Sequence, residues 1–288
     1  MEFPKKEFSF AFLYEKETNY FPFDKLSSIL NTLSEELKCK ITPYYIEQNE
    51  IEEKLKQIET LDMVTSDPKC CSYIPKVLSH FKNMTWVHSM FAGVDKFLAL
   101  KEISEDNNIT LTNARGAFAG PLAEYTILAM LYFNYNVPTY INCQENHKWT
   151  KLTNTMLDKR TLCIIGYGRN GVAIAKRAKL GFNMKVIGVV RELRENVEGK
   201  EYTDELYGFN QLNKDVIRGA VLDVCQHEPL DKNDKLYDLP KTKLFITNHC
   251  GDFTTDYINQ AYELLIQNIK SYITTGKLAT IVRKNLGY

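Results

Sequence analysis

The stretch from 161 to 180, TLCIIGYGRNGVAIAKRAKL, limits what this chain can fold into more than any other. Leu162, Cys163, Ile164 and Ile165 form a short apolar run that reads as a buried strand. Gly166, Gly168 and Gly171 follow in the spacing G-x-G-x-x-G, and Val172, Ala173, Ile174 and Ala175 open a helix for which Gly181 is the expected C-cap. Strand, glycine turn and helix in that order suit a dinucleotide. The first glycine makes the tight turn, the second lets backbone approach a pyrophosphate, and the third lets the helix pack on the strand. The helix N-terminus adds N–H groups and a partial positive charge. Tyr167, Arg169 and Asn170 complete the expected cofactor-binding loop.

The second strand of such a fold is expected at 184–190, MKVIGVV, and the residues after it meet the adenosine ribose. Here they are Arg191, Glu192, Leu193 and Arg194. An arginine receives a 2′-phosphate through a charge-assisted bond, so Arg191 turns the reading toward NADP, while Glu192 keeps NAD open.

Before this unit, strand-like stretches (8–14, 41–46, 61–65, 85–89, 109–112) alternate with helix-like ones (24–37, 51–58, 74–81). That alternation implies an α/β fold with parallel sheets covered by helices on both faces. The run WVHSMFAGVD (86–95) is a strand entering a glycine turn, where the backbone N–H groups around Ala92 and Gly93 can hold a carboxylate; His88 reads as a packed or surface histidine. A long apolar helix at 120–136, closed by Pro138, exceeds what one buried face needs and fits either a core or a subunit contact.

Charge excludes some classes of partner. The 36 basic and 36 acidic residues balance without a like-charged block, so neither nucleic acid nor a membrane surface is an expected partner. Seven cysteines, an odd number with no C-x-x-C, argue for a reducing compartment and against a disulfide framework or metal site. The first fifteen residues read as a strand rather than a leader, and no apolar segment is long enough to span a bilayer, so a cytoplasmic protein is expected.

Two later stretches, RGAVLDVCQHEPL (218–230) and KLFITNHCG (243–251), join WVHSMFAGVDKF, NARG (113–116), AEYTILAMLY and GYGRNG in a pattern covering nearly the whole chain. The pattern resembles the D-isomer-specific 2-hydroxyacid dehydrogenases, closest to their glyoxylate/hydroxypyruvate reductase branch. The resemblance implies two doubly wound parallel-sheet domains with the active site in the cleft between them. A flavodoxin-like substrate domain would comprise 1–105 plus 253–288, and a Rossmann cofactor domain 106–252. It also implies a homodimer through the 120–136 helix region and a small 2-keto or 2-hydroxy acid as substrate. By motif, Glu228 and His249 match the acid–base pair, Asp223 the residue that contacts the nicotinamide carboxamide, and the turn at Ala92 and Gly93 the substrate's carboxylate site. His227 matches no role, and Asn248 stands where the family usually has proline. The chemistry is consistent: reduction of a keto acid needs a proton at the carbonyl oxygen, and a histidine beside a carboxylate supplies it near neutral pH.

The chain also departs from the family. Family members carry two further strands, their helices and an Asn-x-Gly-Arg-Gly turn before the LDV strand; here 207–215 runs directly into 216–220, and no Gly-Arg-Gly occurs. The cofactor domain is therefore expected to be shortened near 215–216, with part of its central sheet and the catalytic arginine missing. Closing the gap is expected to make the glycine-loop strand and the LDV strand neighbours. Loss of a preorganised donor at a developing oxyanion costs on the order of 3–4 kcal/mol, or about 10²–10³ in rate. Two expectations stand beside the dehydrogenase: a catalytically impaired NAD(P)-binding or dimerising protein, and a shortened product of an ordinary enzyme.

Overall fold

The computed structural model describes residues 3–16, 21–193, 196–211 and 220–287. The chain forms two compact units, 1–117 with 256–288, and 118–255.

In the first unit the elements are Glu7–Tyr14 (β1), Phe23–Leu37 (α1), Lys40–Glu47 (β2), Ile51–Leu55 (α2), Met63–Ser66 (β3), Ile74–His80 (α3), Trp86–Ser89 (β4), Asp95–Leu98 (α4), Lys101–Ser104 (α5) and Thr110–Asn113 (β5). The five strands are parallel in the order β2-β1-β3-β4-β5. Such strands bury both faces, which explains the unbroken apolar run in β1. Its Phe8, Phe10 and Phe12 line one face, where Phe8 meets Trp86 at 5.9 Å and Phe12 meets Phe21 at 4.9 Å between ring centres. Ala11 and Leu13 line the other face, packed with Val64, Val87, Leu111 and Phe97.

In the second unit the elements are Ala119–Asn134 (α6), Val137–Glu145 (α7), Thr161–Ile165 (β6), Arg169–Phe182 (α8), Lys185–Val190 (β7), Glu205–Gly208 (β8), Ala220–Leu222 (β9) and Leu244–Ile246 (β10). The chain then returns to the first unit as the helix Tyr257–Thr275 (α9). Apolar residues of α9 recur every three or four positions, and Ile258, Ala261, Leu265, Ile269, Tyr272 and Ile273 are buried. Asn268 ties the tail back onto this helix, its amide donating to Thr280 Oγ1 at 2.9 Å and accepting from the Ala279 N–H at 2.9 Å.

Several expectations are corrected. The helix after the glycine loop does not stop at Gly181; it runs to Phe182 and is capped by Asn183 at φ 50°. Asparagine visits that left-handed conformation more readily than most residues, and its amide is held here by a long-range bond to Asp158 Oδ1 at 2.9 Å. Pro138 does not merely close the apolar helix; it occupies the first turn of α7, where its missing N–H has no helical acceptor to lose. A third strand, β8, follows β7 and was not foreseen; Asp204 fixes it by accepting the Val186 N–H at 2.7 Å and Lys179 Nζ at 2.8 Å.

The glycine-loop strand and the LDV strand are not neighbours among the described residues. The sheet β6-β7-β8 and the pair β10-β9 are separate. A chain leaving β8 must cross β7 and β6 to reach the open edge of β6, and a parallel neighbour needs a crossover of about a dozen residues or more. Only residues 209–219 connect β8 to β9, and 212–219, where the shortening near 215–216 was expected, lie outside the described residues. Nor is the apolar run of β6 buried as a whole. Ile164 is buried, but Cys163 is exposed and Ile165 is 64 % exposed.

Candidate active site

The sequence 220–251 places three acidic or basic side chains within one hydrogen-bonded assembly of the second unit. Strands β9 and β10 run parallel, with Leu222 opposite Ile246, so the loops leaving their ends start side by side. Asp223 leaves the first strand and binds the turn after the second. Its carbonyl accepts the His249 N–H at 2.8 Å. Its carboxylate accepts the Thr247 hydroxyl at 2.6 Å and the Cys250 N–H at 2.9 Å on Oδ1, and the Gly251 N–H at 2.9 Å on Oδ2. Burial alone would raise this carboxyl; the three donors, aided by His249, reverse that and hold it below the usual aspartate range.

Gly251 is required by close approach, because a Cβ there would lie 2.9 Å from Asp223 Oδ2 and 3.3 Å from the Tyr125 ring. His249 sits at φ 52°, a left-handed conformation that costs a non-glycine residue roughly 1–2 kcal/mol. The donors gathered on Asp223 offset that strain and aim the imidazole at Glu228. His249 Nδ1 and Glu228 Oε2 are 2.7 Å apart, and Glu228 Oε1 accepts the Cys225 N–H at 2.8 Å. The Cys225 N–H, then His249, lower the Glu228 carboxyl, while the Glu228 hydrogen bond raises the imidazole above its ordinary value. With Nδ1 engaged, Nε2 is the ring nitrogen left to meet a ligand. Such a pair can hold a proton near neutral pH and deliver it. Asp252, which also faces His249, is raised by burial.

The glycine loop has its own geometry. The N–H groups of Gly166 and Tyr167 both donate to the Val189 carbonyl, at 3.0 and 2.8 Å, and the Gly168 N–H donates to Gly166 O at 2.8 Å. The N–H groups left for an anion are therefore those of the first turn of α8, around Asn170 and Gly171. Gly166, at φ 91°, makes the turn. A Cβ on Gly171 would lie 2.8 Å from Gly166 O, so only glycine lets α8 approach β6 this closely. A Cβ on Gly168 would meet nothing within 4 Å. The space in front of the helix N-terminus is thus open at the residue where a diphosphate must touch backbone, and the loop fits a dinucleotide.

Tyr167 departs from expectation in its side chain, which is buried and donates its hydroxyl to Gly199 O at 2.7 Å. It anchors the loop from beneath. Arg169 and Arg191 are exposed, Arg191 directly after β7; Arg194 lies outside the described residues. In the first unit, Ala92 and Gly93 form an exposed turn after β4, fixed where Asn113 Nδ2 donates to Ala92 O at 2.6 Å. His88 is fully buried, bonded through Nδ1 to Thr112 Oγ1 at 2.8 Å, and burial pushes its pKa down to about 3. No cluster of three or more metal-ligating side chains occurs among the described residues, nor is any helix there long and apolar enough to cross a membrane.

Two participants were missed from sequence. Thr247 bonds Asp223, and Tyr125 Oη lies 2.5 Å from Thr247 Oγ1 although 122 positions separate them. Nothing in the local pattern of α6 distinguishes Tyr125 from its aromatic neighbours; only the fold brings it to Thr247.

Comparison with known proteins agrees with the motifs. Residues 127–211 match the family model for the NAD binding domain of D-isomer specific 2-hydroxyacid dehydrogenase. No curated protein matches the chain by sequence. Among solved structures, a D-isomer specific 2-hydroxyacid dehydrogenase family protein from Aeromonas salmonicida is 21 % identical, covering 96 % of this chain and 99 % of that one with a TM-score of 0.71. The NADPH-dependent glyoxylate/hydroxypyruvate reductase SmGhrA from Sinorhizobium meliloti, solved with NADP and sulfate, is 19 % identical over 97 % and 100 %, with a TM-score of 0.66. A probable 2-hydroxyacid dehydrogenase from Rhizobium etli, in complex with NADP, HEPES and tartaric acid, is 16 % identical over 98 % and 100 %, also at 0.66. These structures share the two-domain α/β fold with this chain, and the matched model identifies its second unit as carrying a NAD-binding segment.

Glu228→Gln removes the charge that favours imidazolium while keeping a hydrogen-bonding partner. The His249 ring, followed by NMR, is expected to titrate at lower pH than in the unaltered chain, toward the ordinary histidine value. An unchanged midpoint would mean that Glu228 does not control the ring.

Proposed function

We propose that this relative of the D-isomer-specific 2-hydroxyacid dehydrogenases is a reductase of small 2-keto acids, glyoxylate or hydroxypyruvate among them, using NADPH in preference to NADH. The observation that carries the reading is the 2.7 Å pairing of His249 with Glu228, built on a turn that Asp223 holds from three sides. In this reading 118–255 is the dinucleotide-binding unit and 1–117 with 256–288 the substrate unit.

When bound, reduced nicotinamide supplies the hydride. His249 carries a proton on Nε2 and donates it to the substrate's carbonyl oxygen, and Glu228 keeps the imidazole charged and oriented until then. Asp223 Oδ2, with one donor against two on Oδ1, retains a lone pair for the carboxamide N–H of the cofactor. Asn170, Gly171 and the backbone of Gly168 meet the diphosphate, and Arg191 receives the 2′-phosphate. The Ala92–Gly93 turn offers its N–H groups to the substrate's carboxylate.

A second reading is favoured by the split between β6-β7-β8 and β10-β9: a nucleotide-binding protein impaired in turnover, its cofactor domain shortened near 215–216. The absence of an Asn-x-Gly-Arg-Gly sequence supports it, since nothing in the chain replaces that cation by motif.

Assembly is proposed as a homodimer. Helix α6 is apolar around its circumference, yet only Pro121, Ala123 and Ile127 are buried, while Leu128, Tyr135, Ile141 and Trp149 (97 % exposed) leave an apolar surface facing solvent. A second copy of the chain, burying the same surface, covers it by symmetry. Sedimentation of the full chain is expected to give a dimer, and Trp149→Glu a shift toward monomer; a monomeric unaltered chain would refute this.

NADPH oxidation by the full chain with glyoxylate and then hydroxypyruvate tests turnover. Activity is expected to fall about 10²–10⁴-fold in His249→Gln, and to decline in the unaltered chain as pH rises through the elevated imidazole pKa, because the deprotonated ring has no proton to give. Arg191→Asp in the same assay is expected to shift preference toward NADH. A folded chain that binds NADPH without turning over would favour the second reading.

A further inference from the structure

Tyr125, Thr247 and Asp223 form a chain of three side chains whose proton directions are fixed by chemistry. Ionised Asp223 offers only acceptors, so the Thr247 hydroxyl, 2.6 Å from Oδ1, spends its single hydrogen there. The remaining contact, 2.5 Å between Tyr125 Oη and Thr247 Oγ1, must then be donated by the phenol. Burial, above all, and the nearby Asp223 charge raise the Tyr125 phenol, which keeps that proton in place. The relay runs one way, from Tyr125 on α6 through Thr247 to the carboxylate.

We propose that Thr247 is a positioning residue of the acid–base site, with Tyr125 polarising it: together they fix the Asp223 carboxylate, and through it the turn that carries His249. Two observations stand behind this. The Asp223 residue that takes the Thr247 hydroxyl also takes the N–H groups of His249, Cys250 and Gly251 in succession. The Tyr125 ring closes the same arrangement from the other side, 3.3 Å from where a Cβ on Gly251 would stand. Thr247 is itself held by its backbone, its N–H donating to Leu222 O at 2.9 Å. The hydroxyl thus enters from a fixed strand end, and the carboxylate has a defined rotamer before any ligand arrives. Oδ2 is left with the single free lone pair that the proposed carboxamide contact uses. The ionisable groups around the carboxylate are His249, Asp252, Glu228, Tyr125 and Cys250; neither Thr247→Val nor Thr247→Ser replaces any of them, and Thr247→Val removes only the acceptor of the Tyr125 phenol.

The inference rests on the reading of Asp223 as a cofactor contact only for its ligand-binding consequence, so two readouts are needed. Hydrogen exchange of the His249, Cys250 and Gly251 amides reports positioning in the free chain. Fluorescence titration with NADPH reports the consequence. Thr247→Val is expected to speed exchange at these amides and weaken NADPH binding about tenfold, the scale of one hydrogen bond to a charged group. Thr247→Ser, which keeps the donor, is expected to restore both, and Tyr125→Phe to give smaller changes of the same sign. A merely structural role for the Thr247 methyl group predicts the reverse order, with the serine variant impaired and the valine variant, which keeps that methyl, close to the unaltered chain, and that result would overturn the proposal. Unchanged exchange in Thr247→Val would overturn it too; if that variant cannot be obtained folded, unchanged exchange in Tyr125→Phe does so. Loss of amide protection in a chain that never binds NADPH would sustain the positioning role and refute the cofactor reading instead.

Discussion

A carboxylate partly withdrawn from water needs donors in place of the water it loses, and half-buried Asp223 is supplied with three of them. Thr247 comes from the end of β10, and Cys250 and Gly251 from the turn that follows. The same residue's carbonyl holds the His249 N–H, so one position in the chain fixes four of the five residues from 247 to 251. Remove the side chain and the turn loses the anion around which its N–H groups converge, and His249 loses the compensation for its left-handed backbone. The imidazole's approach to Glu228 depends on that turn. Proton chemistry at His249 is therefore a consequence of where Asp223 sits.

This arrangement needs little of the sheet around it. Strands β9 and β10 have three residues each, and their pairing alone sets the two loops side by side. The glycine loop likewise needs only β6, β7 and α8, where Gly166 and Tyr167 hang from Val189 and Gly171 lets the helix close on Ile164. Each half of the second unit is locally complete while the two strand groups stay unpaired with one another. That separation explains how a site can keep its geometry in a chain whose sheet is narrow; in the same strand group, the face of β6 that carries Cys163 and Ile165 is exposed.

Much of this was legible in the sequence, for identifiable reasons. Long periodic elements such as α9, and continuous apolar runs such as 10–14 in β1, announce themselves because burial on fixed faces dictates their composition. The glycine spacing was readable because turn, approach and packing each demand a missing side chain. Glu228, His249 and Asp223 were found by motif, and the structure brings all three into one hydrogen-bonded assembly. What failed were features set by distant partners. Strand β8 is only four residues long, with Leu206 as its one aliphatic side chain against the core and Asp204 and Lys185 holding its start. Tyr167 reads as a loop residue, yet turns inward. Tyr125 and Thr247 carry no local mark of their role. The neighbour relation of β6 and β9 was inferred from the expected shortening near 215–216, and the described residues do not show it, because β6-β7-β8 and β10-β9 are separate.

The central claim proposed here is that the His249 ring, held at Nδ1 by Glu228 and protonated at Nε2, turns Nε2 to the carbonyl oxygen of a 2-keto acid. Its most direct test is the titration of the His249 ring by NMR in the full chain, with NADPH present, before and after addition of oxamate, an unreactive analogue with the same carboxylate and carbonyl. An acceptor placed on Nε2 favours the charged ring, so the account predicts that oxamate raises the midpoint further. A titration that oxamate leaves unmoved, while NADPH is bound, would contradict it.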